Sequence, residues 1–249
     1  MLNKKQTKLI VFEGGEGVGK STQIELLCKT LTANNLTFVK TREPGGLQSA
    51  EEIREIIFSK NYNTQNTTDL LLFTAARHEN IKKNIEPNMG LVDFIICDRF
   101  VLSTLVYQGF VGGYDIKLIK ELHKICNNNL YPDLTIILDV SPQIALKRLE
   151  NRDDVNKYDE KAIDFHNKVA EGYRQYKNFY SAKTILLSDY FKKAESNFVE
   201  ISGNTLISGN AIIKEAGIYD GNAPKSIIYT RIIDALNNTF NLTLSKIND

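Results

Sequence analysis

The chain has 249 residues, a formal net charge of +1 and 42% hydrophobic residues, enough apolar mass for a full core in one domain. Without a basic excess to neutralise a phosphate backbone, nucleic acid is excluded as an expected partner. No stretch approaches the roughly 20 apolar residues of a membrane span, the opening Met1-Leu-Asn-Lys-Lys-Gln-Thr-Lys8 has no apolar leader core, and Cys28, Cys97 and Cys126 read as buried small hydrophobes, so a cytoplasmic, membrane-free protein is expected.

The first apolar run predicts a strand over 8–13 that enters Gly14-x-x-x-x-Gly19-Lys20-Ser21 directly. This is the pattern of a phosphate-binding loop. Glycines let backbone N–H groups turn inward around a polyphosphate, and the helix that follows adds the positive end of its dipole. Gly14, Gly15, Glu16, Gly17, Val18, Gly19, Lys20, Ser21 and Thr22 are therefore expected to hold ATP. Lys20 would reach the terminal phosphates and Ser21 would hold Mg²⁺. A glycine-rich turn with a chance Lys-Ser is the bland alternative; an amphipathic helix over 20–34, built on Ile24, Leu26, Leu27 and Leu31, weighs against it. None of the variable loop positions is basic, so any arginine finger must come from elsewhere.

A strand over 36–41 leads into Arg42-Glu43-Pro44, and helices follow near 49–59 and 67–85. Phe73 and Arg77 are four apart and share one face. There they could stack a planar base and bond its edge, or Phe73 could simply pack the core. The strand predicted over 92–97 ends at Asp98-Arg99, and the one over 134–140 ends at Asp139. Either acid could position Mg²⁺; Asp98 is favoured because Arg99 beside it supplies a second anion-binding group. Helices are predicted near 101–108, at 115–128, at 142–151 and at 160–180. Arg148, Arg152 and Lys157 lie in a charged stretch where a mobile lid, about 150–164, could close over a transferring phosphoryl group. A solvated turn is the alternative. From 181 to 230 the pattern loosens, with 185–187 and 198–201 as possible strands, before an amphipathic helix over 225–238. His78, His123 and His166 show no metal-ligand spacing and are given no catalytic role.

Strand and helix alternate, which predicts an α/β fold with a parallel sheet covered by helices on both faces. Ligands then sit at the carboxyl ends of the strands, where Glu13 to Ser21, Arg42 to Pro44, Asp98, Arg99 and Asp139 all fall. Arg42, Arg77 and Arg99 are permanently charged forks. Converging, they suit a monophosphate that is held rather than hydrolysed, and so transfer to a second nucleotide.

Several of these pieces together resemble the thymidylate kinases, in their bacterial form. The matching segments are Phe12-Glu-Gly-Gly-Glu-Gly-Val-Gly-Lys-Ser-Thr22, Thr41-Arg-Glu-Pro-Gly-Gly46, Leu70-Leu-Leu-Phe-Thr-Ala-Ala-Arg77, Asp98-Arg-Phe100 with Ser103, Tyr107-Gln-Gly109, Pro132-Asp-Leu-Thr-Ile-Ile-Leu-Asp-Val140 and Asp164-Phe-His-Asn-Lys-Val-Ala-Glu-Gly-Tyr173. The resemblance implies a P-loop kinase fold with a helical lid, in a single domain over 1–249. It implies transfer of the ATP γ-phosphate to dTMP, giving dTDP on the way to dTTP, with Mg²⁺, in a homodimer. By position, Arg42 and Arg99 look like the holders of the dTMP phosphate, Phe73 stacks on thymine and Arg77 bonds its O4 edge. Thr104 and Gln108 look like further base contacts, with Glu43, Pro44 and Ser103 lining the same site. Tyr107 matches the position that crowds a ribose 2′-hydroxyl. Glu16 matches the acidic loop residue near the acceptor sugar and metal, and Arg152 a lid arginine, which with Lys20 and Arg99 completes the catalytic set. The chain departs from the family in Phe100, where Tyr or His is usual, in a lid with fewer arginines, and in the longer segment 181–230. Two other classes share parts of the pattern. Another nucleoside monophosphate kinase would lack the Thr-Arg-Glu-Pro-Gly-Gly element joined to Phe73 and Arg77. A GTPase switch would need a guanine-reading Asn-Lys-x-Asp tetrapeptide, which the chain is expected to lack, and a simple ATPase has no use for three acceptor-side arginines.

Overall fold

A computed structural model describes residues 6–59, 61–62, 64–128, 130–150, 156–179, 183–188 and 225–247. Five parallel strands form one sheet in the order β2-β3-β1-β4-β5: β1 (Lys8–Glu13), β2 (Phe38–Arg42), β3 (Phe94–Asp98), β4 (Leu134–Asp139) and β5 (Lys183–Ser188). The central strands are near-continuous apolar runs, as a sheet covered on both faces requires; all six residues of β4 and five of six in β1 are buried. Helix α1 (Lys20–Ala33) and the last helix, α9 (Lys225–Phe240), pack on one face with Ile10, Phe12, Ile96 and Ile136. Leu9, Val11, Ile95 and Ile137 point the other way. They meet Leu70 of α3 (Asn66–Asn80), α5 (Val101–Thr104) and Val169 and Tyr173 of α8 (Ile163–Tyr176). Alternate residues of one strand thus feed two separate cores.

The remaining helices are α2 (Gln48–Phe58), α4 (Glu86–Asn88), α6 (Ile116–Asn127) and α7 (Pro142–Leu149). Register sets the site: Phe12 and Arg42 both lie opposite Asp98, so the strand ends align along one edge of the sheet.

The predicted elements are found with shifted ends and two changes. The helix expected over 101–108 is a short α-helix that widens into a π-helical stretch, Leu105–Val111. A second π-helical stretch, Ile81–Ile85, joins α3 to α4. Each turn of this kind carries more residues than an α-turn, so Tyr107 and Gln108 do not lie where 3.6 residues per turn would put them. The possible strand at 185–187 is the edge strand β5, paired in parallel with β4. The other possible strand, 198–201, lies outside the described residues. Helix α8 ends at Tyr176 rather than near 180.

Candidate active site

The aligned strand ends open into a cleft of about 500 Å³. On one side the chain leaves β1 through Gly14, Gly17 and Gly19, with φ of 131°, 69° and 97°. Only glycine takes these angles without strain, and space enforces the choice: a Cβ on Gly14 would sit 2.4 Å from the Leu138 carbonyl oxygen, and one on Gly17 2.3 Å from that of Ala145. Helix α1 starts at Lys20 with no side-chain cap, which leaves first-turn N–H groups to a ligand. The buried Lys20 Nζ donates to the carbonyls of Gly15 (2.7 Å) and Gly14 (3.2 Å). Burial first, and Arg99 second, push its ammonium down to about 8. Glu16 through Thr22 line the cleft.

At the end of β3, Arg99 takes a left-handed conformation (φ 72°). This folds its guanidinium back onto the loop. Nη1 donates to the Gly14 carbonyl (2.8 Å), the Tyr173 hydroxyl (3.0 Å) and Ser103 Oγ (3.2 Å), and Nη2 to Glu16 Oε1 (3.0 Å). Glu16 also accepts the Tyr107 hydroxyl at 2.6 and 2.7 Å. Burial pushes the Glu16 carboxyl up, but Arg99 and Lys20 outweigh it and hold the group below the usual carboxylate range. Behind them Glu13 is fully buried and accepts from Phe100 N, Ser103 N, Ser103 Oγ and the Tyr173 hydroxyl; burial raises its carboxyl. Asp98 lines the cleft, and its buried Oδ1 has no hydrogen-bond partner among the described residues. Asp139, the alternative metal-facing acid, accepts a bidentate pair from Arg174 at 2.7 Å each.

The opposite end of the cleft is built around Arg77. Its Nε donates to Glu43 Oε2 (2.6 Å) and its Nη2 to Thr104 Oγ1 (3.0 Å), while Asn80 donates to Glu43 Oε1 (3.1 Å). Both charges are almost wholly buried, at 4% and 2% side-chain exposure. Burial raises the Glu43 carboxyl and Arg77 opposes it. Beside them Phe73 packs edge-on to Phe58 and tilted against Tyr158, on the cleft wall with Pro44, Thr104 and Gln108. The three arginines expected to converge on one monophosphate share this cleft, and each rests on a protein partner. Arg42, Arg77 and Arg99 all line the cleft, but Arg77 is committed to Glu43, and Arg42, half exposed, donates to Glu51 at 3.0 and 2.8 Å.

Sequence reasoning passed over Arg54, Phe58, Asn156, Tyr158 and Asp159, which line the same cleft. Arg54 lies 4.5 Å over the Phe58 ring and donates to the Pro44 carbonyl. Its spacing from Phe58 is the same four residues that singled out Phe73 and Arg77. In the lid stretch Arg148 reaches the cleft and the Gly17 carbonyl (3.5 Å), and Arg152 lies outside the described residues. Lys157, expected among the lid charges, is paired instead with Asp69 of α3 (3.0 Å) and Thr64 (3.2 Å).

The expected lack of an Asn-Lys-x-Asp tetrapeptide is corrected, because Asn156-Lys157-Tyr158-Asp159 spells it. Its side chains are spent within the protein, those of Asn156 and Asp159 on the turn itself. Asp159 Oδ2 accepts from the Asn156 backbone and side chain, Asn156 Oδ1 accepts from Tyr158 N, and Lys157 is held by Asp69. The match is a self-capped turn. Of the histidines, His123 is pushed down to about 4 by burial and by Arg77. His166, set aside on spacing, places Nδ1 3.8 Å from Glu16 Oε2.

Comparison with known proteins covers most of the chain. A family model described as thymidylate kinase matches residues 12–197, from the end of β1 past β5. A thymidylate kinase of Orientia tsutsugamushi is 40% identical over 194 residues, covering 76% of this chain and 88% of the relative. One from Carboxydothermus hydrogenoformans is 34% identical over 196 residues, covering 79% and 95%. Among solved structures, a thymidylate kinase from Ehrlichia chaffeensis superposes with a TM-score of 0.66 at 27% identity, covering 92% of this chain and 98% of that one. With the loop, the Arg99 turn and the Arg77 end assembled around one cleft and these likenesses over most of its length, the chain belongs to the thymidylate kinase family.

Proposed function

We propose that the cleft divides one reaction between its two ends, the loop end taking ATP and the Arg77 end taking the base of dTMP. The activity is that of the family, ATP-dependent phosphorylation of dTMP to dTDP. The observation that carries the division is that a phosphate loop and a buried arginine with fixed partners face one cavity large enough for a ligand.

At the loop end, backbone N–H groups and Lys20 bind the donor phosphates, with Lys20 exchanging the Gly14 and Gly15 carbonyls for phosphate oxygens. Ser21 and Asp98 are the groups that would hold Mg²⁺, and the unpartnered Asp98 Oδ1 fits that task. The described residues hold no cluster of three or more acids, histidines or cysteines, so the remaining ligands would be phosphate oxygens and water. When bound, the metal neutralises charge on the β- and γ-phosphates.

On the acceptor side, Arg99 and Arg42 hold the monophosphate, each by giving up a carboxylate now bonded to it, Glu16 and Glu51. Phe73 stacks on thymine while Arg77, locked by Glu43 and Thr104, presents its edge to O4. Gln108, Pro44 and Ser103 complete the wall. The ring of Tyr107, tied by its hydroxyl to Glu16, crowds a ribose 2′-oxygen and favours deoxynucleotides. Arg148 and Arg152 supply lid charge to the transferring group.

The same reading makes the chain one kinase domain, cytoplasmic, with no membrane helix among the described residues. It also makes it a homodimer, for which the exposed Leu71 of α3 and Leu118 and Ile125 of α6 offer apolar surface. A coupled ADP-release assay with Mg²⁺ and a panel of dTMP, dUMP, dCMP, dGMP, AMP, CMP and ribo-TMP tests the function. Selective turnover of dTMP, with weaker dUMP and little ribo-TMP, is expected. Preference for another acceptor, or rapid hydrolysis with none, would overturn it.

A further inference from the structure

Arg99 and the buried Glu13 face each other without touching. Two hydroxyls stand between them. Ser103 Oγ and the Tyr173 hydroxyl lie 3.2 and 3.0 Å from Arg99 Nη1, sharing its two N–H groups with the Gly14 carbonyl, and each donates to Glu13 Oε2, at 2.7 and 3.0 Å. A hydroxyl has one proton and two lone pairs, so one that donates to a carboxylate is oriented to accept from a cation. Interposing hydroxyls fixes the Nη1 side of the guanidinium without a direct ion pair to Glu13, so that Glu16 on Nη2 is the one carboxylate a phosphate has to displace.

Ser103 lies four residues beyond Arg99, on the same turn of chain. Tyr173 comes from α8, the helix after the lid stretch, 74 residues away. It is 2% exposed, its ring sits edge-on to Tyr107, and its hydroxyl touches Arg99, Ser103 and Glu13. We infer that Tyr173 is a positioning residue for Arg99, tying the helix behind the lid to the group that holds the acceptor phosphate; the inference rests on the acceptor role given to Arg99 above.

The variant Tyr173→Phe removes the hydroxyl and keeps the ring, and Glu13 retains three donors from Phe100 and Ser103. Calorimetric titration with dTMP and with thymidine, which lacks the phosphate, separates positioning from simple packing. In Tyr173→Phe the dTMP Kd rises about tenfold, as loss of a hydrogen bond to a charged group predicts, while the thymidine Kd, the KM for ATP and Tm stay close to wild type. Unchanged dTMP binding, or equal weakening of both ligands, overturns the inference and leaves the acceptor reading standing. A wild-type protein that binds dTMP no more tightly than thymidine defeats the phosphate role of Arg99, and the inference with it.

Discussion

The two ends of the cleft handle charge in opposite ways. At the Arg77 end a cation and an anion are buried together on fixed partners: Glu43, Thr104 and Asn80 hold the guanidinium in place before a ligand arrives. At the loop end Lys20, Arg99 and Arg42 rest on carbonyls and carboxylates that an incoming phosphate can replace. The difference follows from what each end binds. A neutral base edge repays a single hydrogen bond and rewards a donor already in place, whereas a dianion is strong enough to displace stand-in partners and reorganise its holders.

The sharpest way to break this contrast is to remove the anion from the rigid end. Glu43→Ala leaves the Arg77 charge buried with one hydroxyl partner, and an orphaned buried charge costs about 3–5 kcal/mol. A large drop in Tm is the expected result, read by thermal unfolding of the unliganded protein. The matching change at the exchangeable end behaves otherwise. Arg99→Ala should leave Tm near wild type while kcat/KM for dTMP falls by about 10²–10³, the range for loss of one preorganised charge donor. Were Arg99→Ala to unfold the protein and Glu43→Ala to spare it, the assignment of rigid and exchangeable ends would be reversed.

How much of this could be read from residues in order depends on the distance between partners. The phosphate loop was legible because glycines, lysine and serine are contiguous and a strand and helix flank them. Phe73 with Arg77 was legible because four residues make one helical turn, and Arg54 with Phe58 was open to the same rule. The commitment of Arg77 to Glu43 spans 34 residues and the hold of Tyr173 on Arg99 spans 74. No local period encodes either pairing. The π-helical stretch Leu105–Val111 was hidden for a related reason, since its apolar residues also satisfy an α-helical period. The tetrapeptide at Asn156 shows the converse: a motif can be spelled in full while its side chains are spent on the turn itself and on Asp69.

Within the loop end, Lys20 sharpens the comparison through pH. Its ammonium is pushed from 10.5 to about 8 in the folded protein. Between those values the unfolded chain binds the proton and the folded one does not, so the contribution of Lys20 to stability rises as pH goes from 8 to 10.5. Over the same window the neutral amine loses its attraction for phosphate, so KM for ATP should climb as Tm gains. Tm and KM for ATP measured at pH 7 and pH 9.5 should therefore both rise, ATP binding weakening as the fold gains stability, and Lys20→Met should flatten the stability trend. The Arg77 end, whose guanidinium stays charged throughout, should show no such rise in KM for dTMP.

The smallest effect is expected where the lid stretch meets the rigid end. Lys157 is paired with Asp69 at 3.0 Å, with 22% and 10% of the side chains exposed, and Tyr158 beside it packs on Phe58, Phe73 and Tyr107. Asp69→Asn removes the charge but keeps the shape. A partly exposed pair is worth about 1 kcal/mol or less, so Tm should fall only slightly. If the pair holds Tyr158 against the aromatic wall, KM for dTMP should rise by about threefold while KM for ATP stays constant, because Asp69 and Tyr158 stand at the Arg77 end. An equal rise in both constants would mean that the lid stretch serves the two ends alike, and the contrast between them would then stop at the cleft floor.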